Sequence, residues 1–322
     1  MSKRHQTIIL HGQNADYLFN PHSAKSQLRK VSRFSRVYKG QSSDGSPVVI
    51  KMLPSDLSKN TTTVQQFRNE INWYGLHPNL LAPFEYIFQD GRHFLIAEYV
   101  RSIDLGFYLR YVRTLKKTRI KLAITCGLQL LDALEAIHDL GYLHGDIKPA
   151  NVLLLTRRMR FINLKHPHFQ LLDFGMTHKC GELPQSLNER TRRPFVLVYS
   201  PPEKVLGFDD LEGYHSDLYH VALLIHEMIT KEPPYVSRLS VMIMNLQTSF
   251  PLPERKVIPK PLMDVLSKAA SKHHFKKPPN HYPKKEVYQK LSEAIANRYQ
   301  TVQEFRQALL DFRNSYFTQS TP

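Results

Sequence analysis

The chain has 322 residues, of which 42% are hydrophobic and 22% charged, with a formal net charge of +16 and a pI near 9.7. That length suffices for one catalytic unit with a sizeable core and leaves little room for a further domain. No run of about 18 apolar residues is present, which excludes a conventional membrane span, and Cys126 and Cys180 alone argue against a structural disulfide and for a reducing compartment.

In chain order, Met1 to Leu10 carries Lys3 and Arg4 before an apolar run too short for a secretory leader, so a soluble, cytoplasmic chain is expected. Ser43-Asp44-Gly45-Ser46-Pro47 is a turn signal, and the β-branched run after it predicts a strand that carries or ends at Lys51. Val64, Phe67, Ile71 and Tyr74 recur at helical spacing and place Glu70 on a helix. His93 to Val100 reads as a strand ending in Glu98-Tyr99. Ile120 to Leu143 is the longest apolar stretch, but Asp132, Glu135, His138 and Asp139 break it into an amphipathic helix.

The next segment carries the chemistry. His144-Gly145-Asp146-Ile147-Lys148-Pro149-Ala150-Asn151, followed by Asp173-Phe174-Gly175, sets a base, a phosphate-contacting lysine and two metal-ligand candidates in order. Phosphoryl transfer to a hydroxyl needs an acceptor-orienting carboxylate, neutralisation of developing charge, and Mg²⁺ bridging the phosphates. Downstream come Tyr199-Ser200-Pro201-Pro202-Glu203, an apolar helix over Ser216 to Met228, and a final helix over Val302 to Phe312, with a frayed tail beyond Ser315.

The catalytic segment resembles the eukaryotic-like (Hanks-type) Ser/Thr protein kinases, whose loop has the form H-R-D-x-K-x-x-x-N ahead of D-F-G. The resemblance spans roughly residues 28 to 313. It implies an α+β, bilobal kinase fold: a small lobe over 28–98 with an antiparallel sheet and the family's C helix, and a larger helical lobe over 99–313. Residues 1–27 and 314–322 are then an extension and a tail. It further implies ATP and Mg²⁺ as cofactors, the nucleotide lying between the lobes. Asp146 is the implied catalytic base, Lys148 steadies the γ-phosphate, and Asn151 and Asp173 hold magnesium. Lys51, paired with Glu70, reaches the α- and β-phosphates. Val37, Val49, Ala97, Glu98 and Tyr99 line the nucleotide site, Glu203 pairs with Arg298, and Asp217 braces the catalytic loop.

Departures from the family pattern carry information. Aligning Val37 with the valine of the glycine-rich loop puts Lys30, Ser32 and Ser35 where glycines stand, which implies weaker nucleotide affinity. Gly145 replaces the arginine that grips a phosphorylated activation loop in many kinases, so activity independent of that switch is expected, with Thr177, Ser186 and Thr191 dispensable. Val49 narrows one wall of the adenine site while Ala97 widens the other, and Val196 stands where a threonine is usual. H-G-D also occurs in antibiotic and choline kinases, which makes a small-molecule phosphotransferase the alternative enzyme class. Lys148, the Pro-Pro-Glu segment and Arg298 favour a protein substrate instead. The glycine-free loop supports a third class, a pseudokinase scaffold, and the complete Lys51, Glu70, Asp146, Asn151, Asp173 set opposes it.

Two basic segments read as insertions: Thr156 to Gln170, with Arg157, Arg158, Arg160 and Lys165, and Ser271 to Lys290, with Lys272, Lys276, Lys277, Lys284, Lys285 and Lys290. The second reads as a solvated loop, which weighs more here than an anchor for nucleic acid or an anionic membrane. Arg190, Arg192 and Arg193 just before Pro194 point to an acidic or already phosphorylated protein substrate. Cys126 reads as core and Cys180 as an ordinary exposed thiol.

Overall fold

The computed structural model describes residues 7–28, 35–156, 162–182 and 198–318. The chain divides into two units, Met1–Arg101 with Leu172–Gly175, and Ser102–Leu171 with Met176–Pro322. The returning segment Leu172–Gly175 brings Asp173-Phe174-Gly175 into the smaller unit.

The smaller unit is built on a six-stranded antiparallel sheet. Its strands are β1 (Ile8–His11), β2 (Asp16–Phe19), β3 (Arg36–Ser42), β4 (Pro47–Met52), β5 (Glu85–Gln89) and β6 (Arg92–Glu98), in the order β1-β2-β3-β4-β6-β5. The turns follow from residue type. Asp44 accepts the Ser46 N–H at 2.8 Å in the β3–β4 turn, and Asp90 and Gly91, at φ +51° and +68°, give the β5–β6 hairpin the left-handed pair that matches strand twist. Alternate residues point inward to a core that includes Leu10, Tyr17, Phe19, Tyr38, Ile50, Phe94 and Ile96.

Within the segment 1–27, expected as an extension, residues 8–19 instead supply β1 and β2. Their placement depends on partners far away in sequence. The Gln89 side chain accepts the His11 N–H at 2.9 Å and donates to Ile9 O at 2.8 Å, tying edge strand β1 to edge strand β5. Buried Glu85 accepts from Tyr17 Oη at 2.6 Å, from Asn14 Nδ2 at 3.1 Å, and from the Gln13 N–H.

Helix α1 (Thr61–Asn69) is capped by Asn60, whose side chain accepts the Thr63 N–H at 2.9 Å, and ends in a tighter 3-10 turn over Glu70–Trp73. Phe67 is buried with Leu53 and Leu95, while Val64 and Ile71 pack beside them. Tyr74 departs from the expected stripe: the helix has ended, and its ring lies 5.8 Å from Phe84 with 52% exposure.

The larger unit is mainly helical: α2 (Leu105–Tyr111), α3 (Lys116–His138), α4 (Pro202–Val205), α5 (Tyr214–Thr230), α6 (Ser240–Ser249), α7 (Lys260–Ala269), α8 (Lys284–Ala296) and α9 (Val302–Thr318). Small sheets join β7 (Ser102–Asp104), β9 (Val152–Leu155) and β10 (Phe169–Leu171), and β8 (Tyr142–Leu143) with β11 (His178–Lys179). Helices α3 and α5 lie against each other in the core, and Gly127 permits the approach: a Cβ there would stand 2.5 Å from Ile225 Cδ1.

Four boundaries differ from the sequence reading. Helix α3 starts at Lys116 and stops at His138, leaving Tyr142–Leu143 as a strand. The final helix runs past Ser315 to Thr318, where the Phe312 and Tyr316 rings stack at 5.1 Å. The segment Ser271 to Lys290 is no loop throughout: Phe275 and Val287 are buried with Phe208 and Leu291, and α8 begins at Lys284. The first two helices of the larger unit follow Ser102, so the unit boundary falls after Arg101 and not after Glu98. No helix among the described residues is long and apolar enough to cross a membrane.

Candidate active site

Lys51 occupies β4, where residues alternate between core and the opposite face. Antiparallel pairing sets Val37 and Leu95 beside Lys51, and Lys39 and Ala97 beside Val49. Val37, Val49, Lys51 and Ala97 therefore share one face. The bulky Val49 stands directly opposite the small Ala97, so the gain in volume on one strand meets a loss on its neighbour.

Lys51 Nζ lies 2.8 and 2.9 Å from the two Glu70 oxygens and 2.8 Å from Asp173 Oδ1. Burial pushes its ammonium down, but the charges of Asp173 and Glu70 overcome this and hold it above the ordinary lysine range. Burial raises the Glu70 carboxyl to about 7 against the pull of Lys51. Asp173 adopts φ +72°, a left-handed conformation that aspartate tolerates better than most residues. Phe174 then stacks on Trp73 with ring centres 6.0 Å apart and planes 18° from parallel. Glu98 and Tyr99 stand at the end of β6. Glu98 accepts from Tyr74 Oη at 3.3 Å, and Lys39 Nζ sits 4.3 Å above the Tyr99 ring.

In the larger unit, the chain from His144 to Asn151 holds a second charged group together. Asp146 Oδ2 accepts from Lys148 Nζ at 2.6 Å and from Asn151 Nδ2 at 2.9 Å, and Asn151 Nδ2 also reaches Asp146 O at 2.9 Å. Beneath it, buried Asp217 accepts the backbone N–H of His144 at 2.8 Å and of Gly145 at 2.9 Å, and contacts His138 Nε2 at 3.0 Å. Burial pushes the Asp217 carboxyl up, but His138 and the nearby His220 overcome it and hold the group well below its ordinary range. Gly145 takes φ +73°, and a Cβ there would meet Met176 O at 3.2 Å. The residue that replaces the family arginine thus also meets a conformational demand.

Glu203 and Arg298 form a fully buried two-pronged pair at 2.7 and 3.0 Å, with Ser216 Oγ donating to Glu203 at 2.9 Å. Cys126 is buried and inert, and burial also pushes the Cys180 thiol up, which opposes a reactive thiolate.

Sequence reasoning missed several participants. Lys204, the residue after Glu203, donates to Gly145 O at 3.2 Å and pairs with Glu212 at 3.3 Å. His138 reaches Asp217 from the end of α3, and Trp73 backs Phe174. Their common signal was adjacency to a named motif, without any indication of partner. Lys30, Ser32, Ser186, Arg190, Arg192, Arg193 and Val196 lie outside the described residues.

Taken unit by unit, the donor types suit Mg²⁺: in the larger unit Asn151 carries an amide oxygen while its Nδ2 donates to Asp146, and in the smaller unit Asp173 carries a carboxylate. Hard oxygen ligands of this kind suit an ion that keeps phosphate oxygens and water for the rest of its shell. Among the described residues no three or more His, Cys, Asp or Glu side chains gather into a metal cage.

A sheet unit with a doubly paired lysine and a helical unit with a braced carboxylate loop define the protein kinase class. The chain belongs to the protein kinase domain family, which matches residues 32–288. It is 29% identical over 205 residues, 62% of this chain, to a probable serine/threonine-protein kinase, SCO3848, of Streptomyces coelicolor. It is 24% identical over 237 residues, 73% of the chain, to the serine/threonine-protein kinase PknH of Mycobacterium tuberculosis. The chain spans 28% and 35% of the lengths of these relatives. In fold it resembles the solved PknI kinase domain of Mycobacterium tuberculosis, with a TM-score of 0.57 at 18% identity, covering 97% of this chain and 98% of that one.

Proposed function

We propose that the chain is a serine/threonine protein kinase that transfers the γ-phosphate of ATP to a protein hydroxyl. The observation that carries this is Asp146, whose Oδ2 is gripped by Lys148 and Asn151 in a loop hung on Asp217. A carboxylate so fixed accepts the hydroxyl proton as the oxygen attacks phosphorus, and the Lys148 ammonium offsets the charge that gathers on the transferring group. Lys51, locked between Glu70 and Asp173, is the residue for the α- and β-phosphates. Asn151 and Asp173 are the candidate ligands for magnesium, which would supply neutralisation of phosphate charge. The names of the two relatives support the choice of a serine or threonine acceptor.

The Gly145 backbone is set by Asp217 and Lys204 rather than by an arginine reaching a phosphorylated loop, which supports activity without that switch. The buried pair of Arg298 with Glu203, the last residue of the Pro-Pro-Glu segment, favours this reading over a small-molecule kinase.

Labelled γ-phosphate transfer to acidic and basic proteins tests this, with Asp146→Asn alongside. The variant should retain nucleotide binding and lose turnover by roughly 10²–10⁴. Wild-type turnover in the variant would remove Asp146 as base. Transfer to choline or an aminoglycoside, and to no protein, would establish the other enzyme class.

A further inference from the structure

The surface that runs from the end of α2 into the first turns of α3 carries charge that the fold does not use. Between Leu105 and Leu131 the sequence has Arg110, Arg113, Lys116, Lys117, Arg119 and Lys121 and not one carboxylate. The acids that bound the stretch are committed elsewhere. Asp104 caps α2 by accepting the Phe107 N–H at 2.8 Å, and Asp132 pairs with Arg306 at 3.0 Å. Lys116, Lys117 and Arg119 occupy the first turn of α3, where the helix dipole favours acids, and that turn has neither an acidic residue nor a side-chain cap. Lys117 and Lys121 add a like-charged pair four residues apart. Charges that oppose the local rules without helping the fold are expected where a surface has another task.

The apolar side chains here are as unusual as the charges. Leu115 is 80% exposed and Tyr111 61% exposed, both set among the cations. Tyr111 is positioned by the Phe107 ring at 4.9 Å and by the Arg110 guanidinium 5.7 Å over its face. Lys231 adjoins the patch, its Nζ 3.3 Å from the centre of the Tyr108 ring and donating to Tyr108 O at 3.1 Å. Burial and, after it, the charge of Arg119 lower Lys231 to about 8, so cations here meet cations.

We propose that this α2–α3 surface docks the chain on an anionic lipid bilayer, its lysines and arginines meeting the headgroups while Leu115 and Tyr111 enter the boundary with the acyl chains. The two components are those an interfacial surface combines: electrostatic attraction and a small buried apolar area. A protruding leucine has no counterpart on a phosphodiester backbone, and one exposed ring is no row of stacking platforms, which sets nucleic acid behind the bilayer. The lysine-rich segment from Lys276 to Lys285 lacks the exposed leucine and serves as the control.

Flotation of the full chain with phosphatidylcholine vesicles, with and without phosphatidylserine, tests the proposal. Binding should require phosphatidylserine and weaken with salt. Lys116→Glu with Lys117→Glu should weaken it by roughly 30-fold or more, at about fivefold for each cation lost. Tyr111→Ser with Leu115→Ser should weaken it several-fold and leave the salt dependence unchanged, and Lys276→Glu with Lys277→Glu should leave it intact. All six positions are exposed, so the variants are expected to fold, which circular dichroism checks. Absence of binding, equal binding to both vesicle types, or loss only in the Lys276/Lys277 variant would overturn the proposal. So would preferential capture of duplex DNA or RNA, insensitive to Tyr111→Ser with Leu115→Ser, which would assign the surface to nucleic acid.

Discussion

Helix α5 carries two buried carboxylates ten residues apart, and they are pushed in opposite directions. Asp217, in the first turn, is held well below the ordinary range, whereas Glu227, near the last, is raised to about 7. Burial penalises both. Asp217 overcomes it with His138 and His220, and it also accepts from two backbone N–H groups. Glu227 has the Tyr199 hydroxyl at 2.8 Å. Burial therefore does not decide whether a carboxylate is charged; its partners do. The charged one braces the loop that carries the proposed base.

The largest effect should come from removing the brace. Asp217→Ala leaves the His144 and Gly145 N–H groups buried without an acceptor, and denaturant unfolding should show a loss of roughly 3–5 kcal/mol. A loss below 1 kcal/mol would mean that the loop holds itself.

Glu227→Gln should do the reverse. The folded-state value of about 7 lies above the unfolded value near 4.5, so the folded chain binds the proton more tightly, and wild-type stability falls as pH rises through this window. At about 1.4 kcal/mol per pH unit, the variant should be more stable by roughly 3 kcal/mol above pH 8. The two proteins should converge below about pH 4.5. Asp217 has the opposite sign. Its stabilisation is present above the unfolded carboxylate range and disappears only as pH falls through its depressed folded value, so it should dominate acid unfolding.

Lys204→Met sharpens the comparison at smaller scale. It removes the donor to Gly145 O and leaves Glu212 without that cation, at a cost of about 1–3 kcal/mol, with a proportionally larger fall in turnover if the Gly145 carbonyl sets the loop. Equal changes in stability and turnover would assign Lys204 to folding alone.

The chemistry-bearing loop was legible because its partners are close in sequence. Lys148 and Asn151 stand two and five residues after Asp146, and the backbone between them leaves their side chains little choice of neighbour. Lys51, Glu70 and Asp173 were legible only through resemblance, since nothing local joins residues so far apart, and the sheet and the returning segment Leu172–Gly175 had to assemble first. Asp217 was placed in the same way. What supports it was not read at all: a histidine at the end of another helix contributes, and Lys204 acts through a carbonyl, a group every residue has.

Composition, turn residues and hydrophobic period by themselves determined a mixed fold with an amphipathic α3, a strand at Lys51 and a closing helix at the C-terminus. Only the tertiary structure decided that residues 8–19 join the sheet, because strands of four residues take their register from partners such as Glu85 and Gln89, some 70 to 80 positions away. It likewise decided which buried carboxylate is held ionised and which is raised toward neutrality. Charge inside a protein depends on donors brought together by packing, and sequence spacing records only those donors that lie within a turn or two.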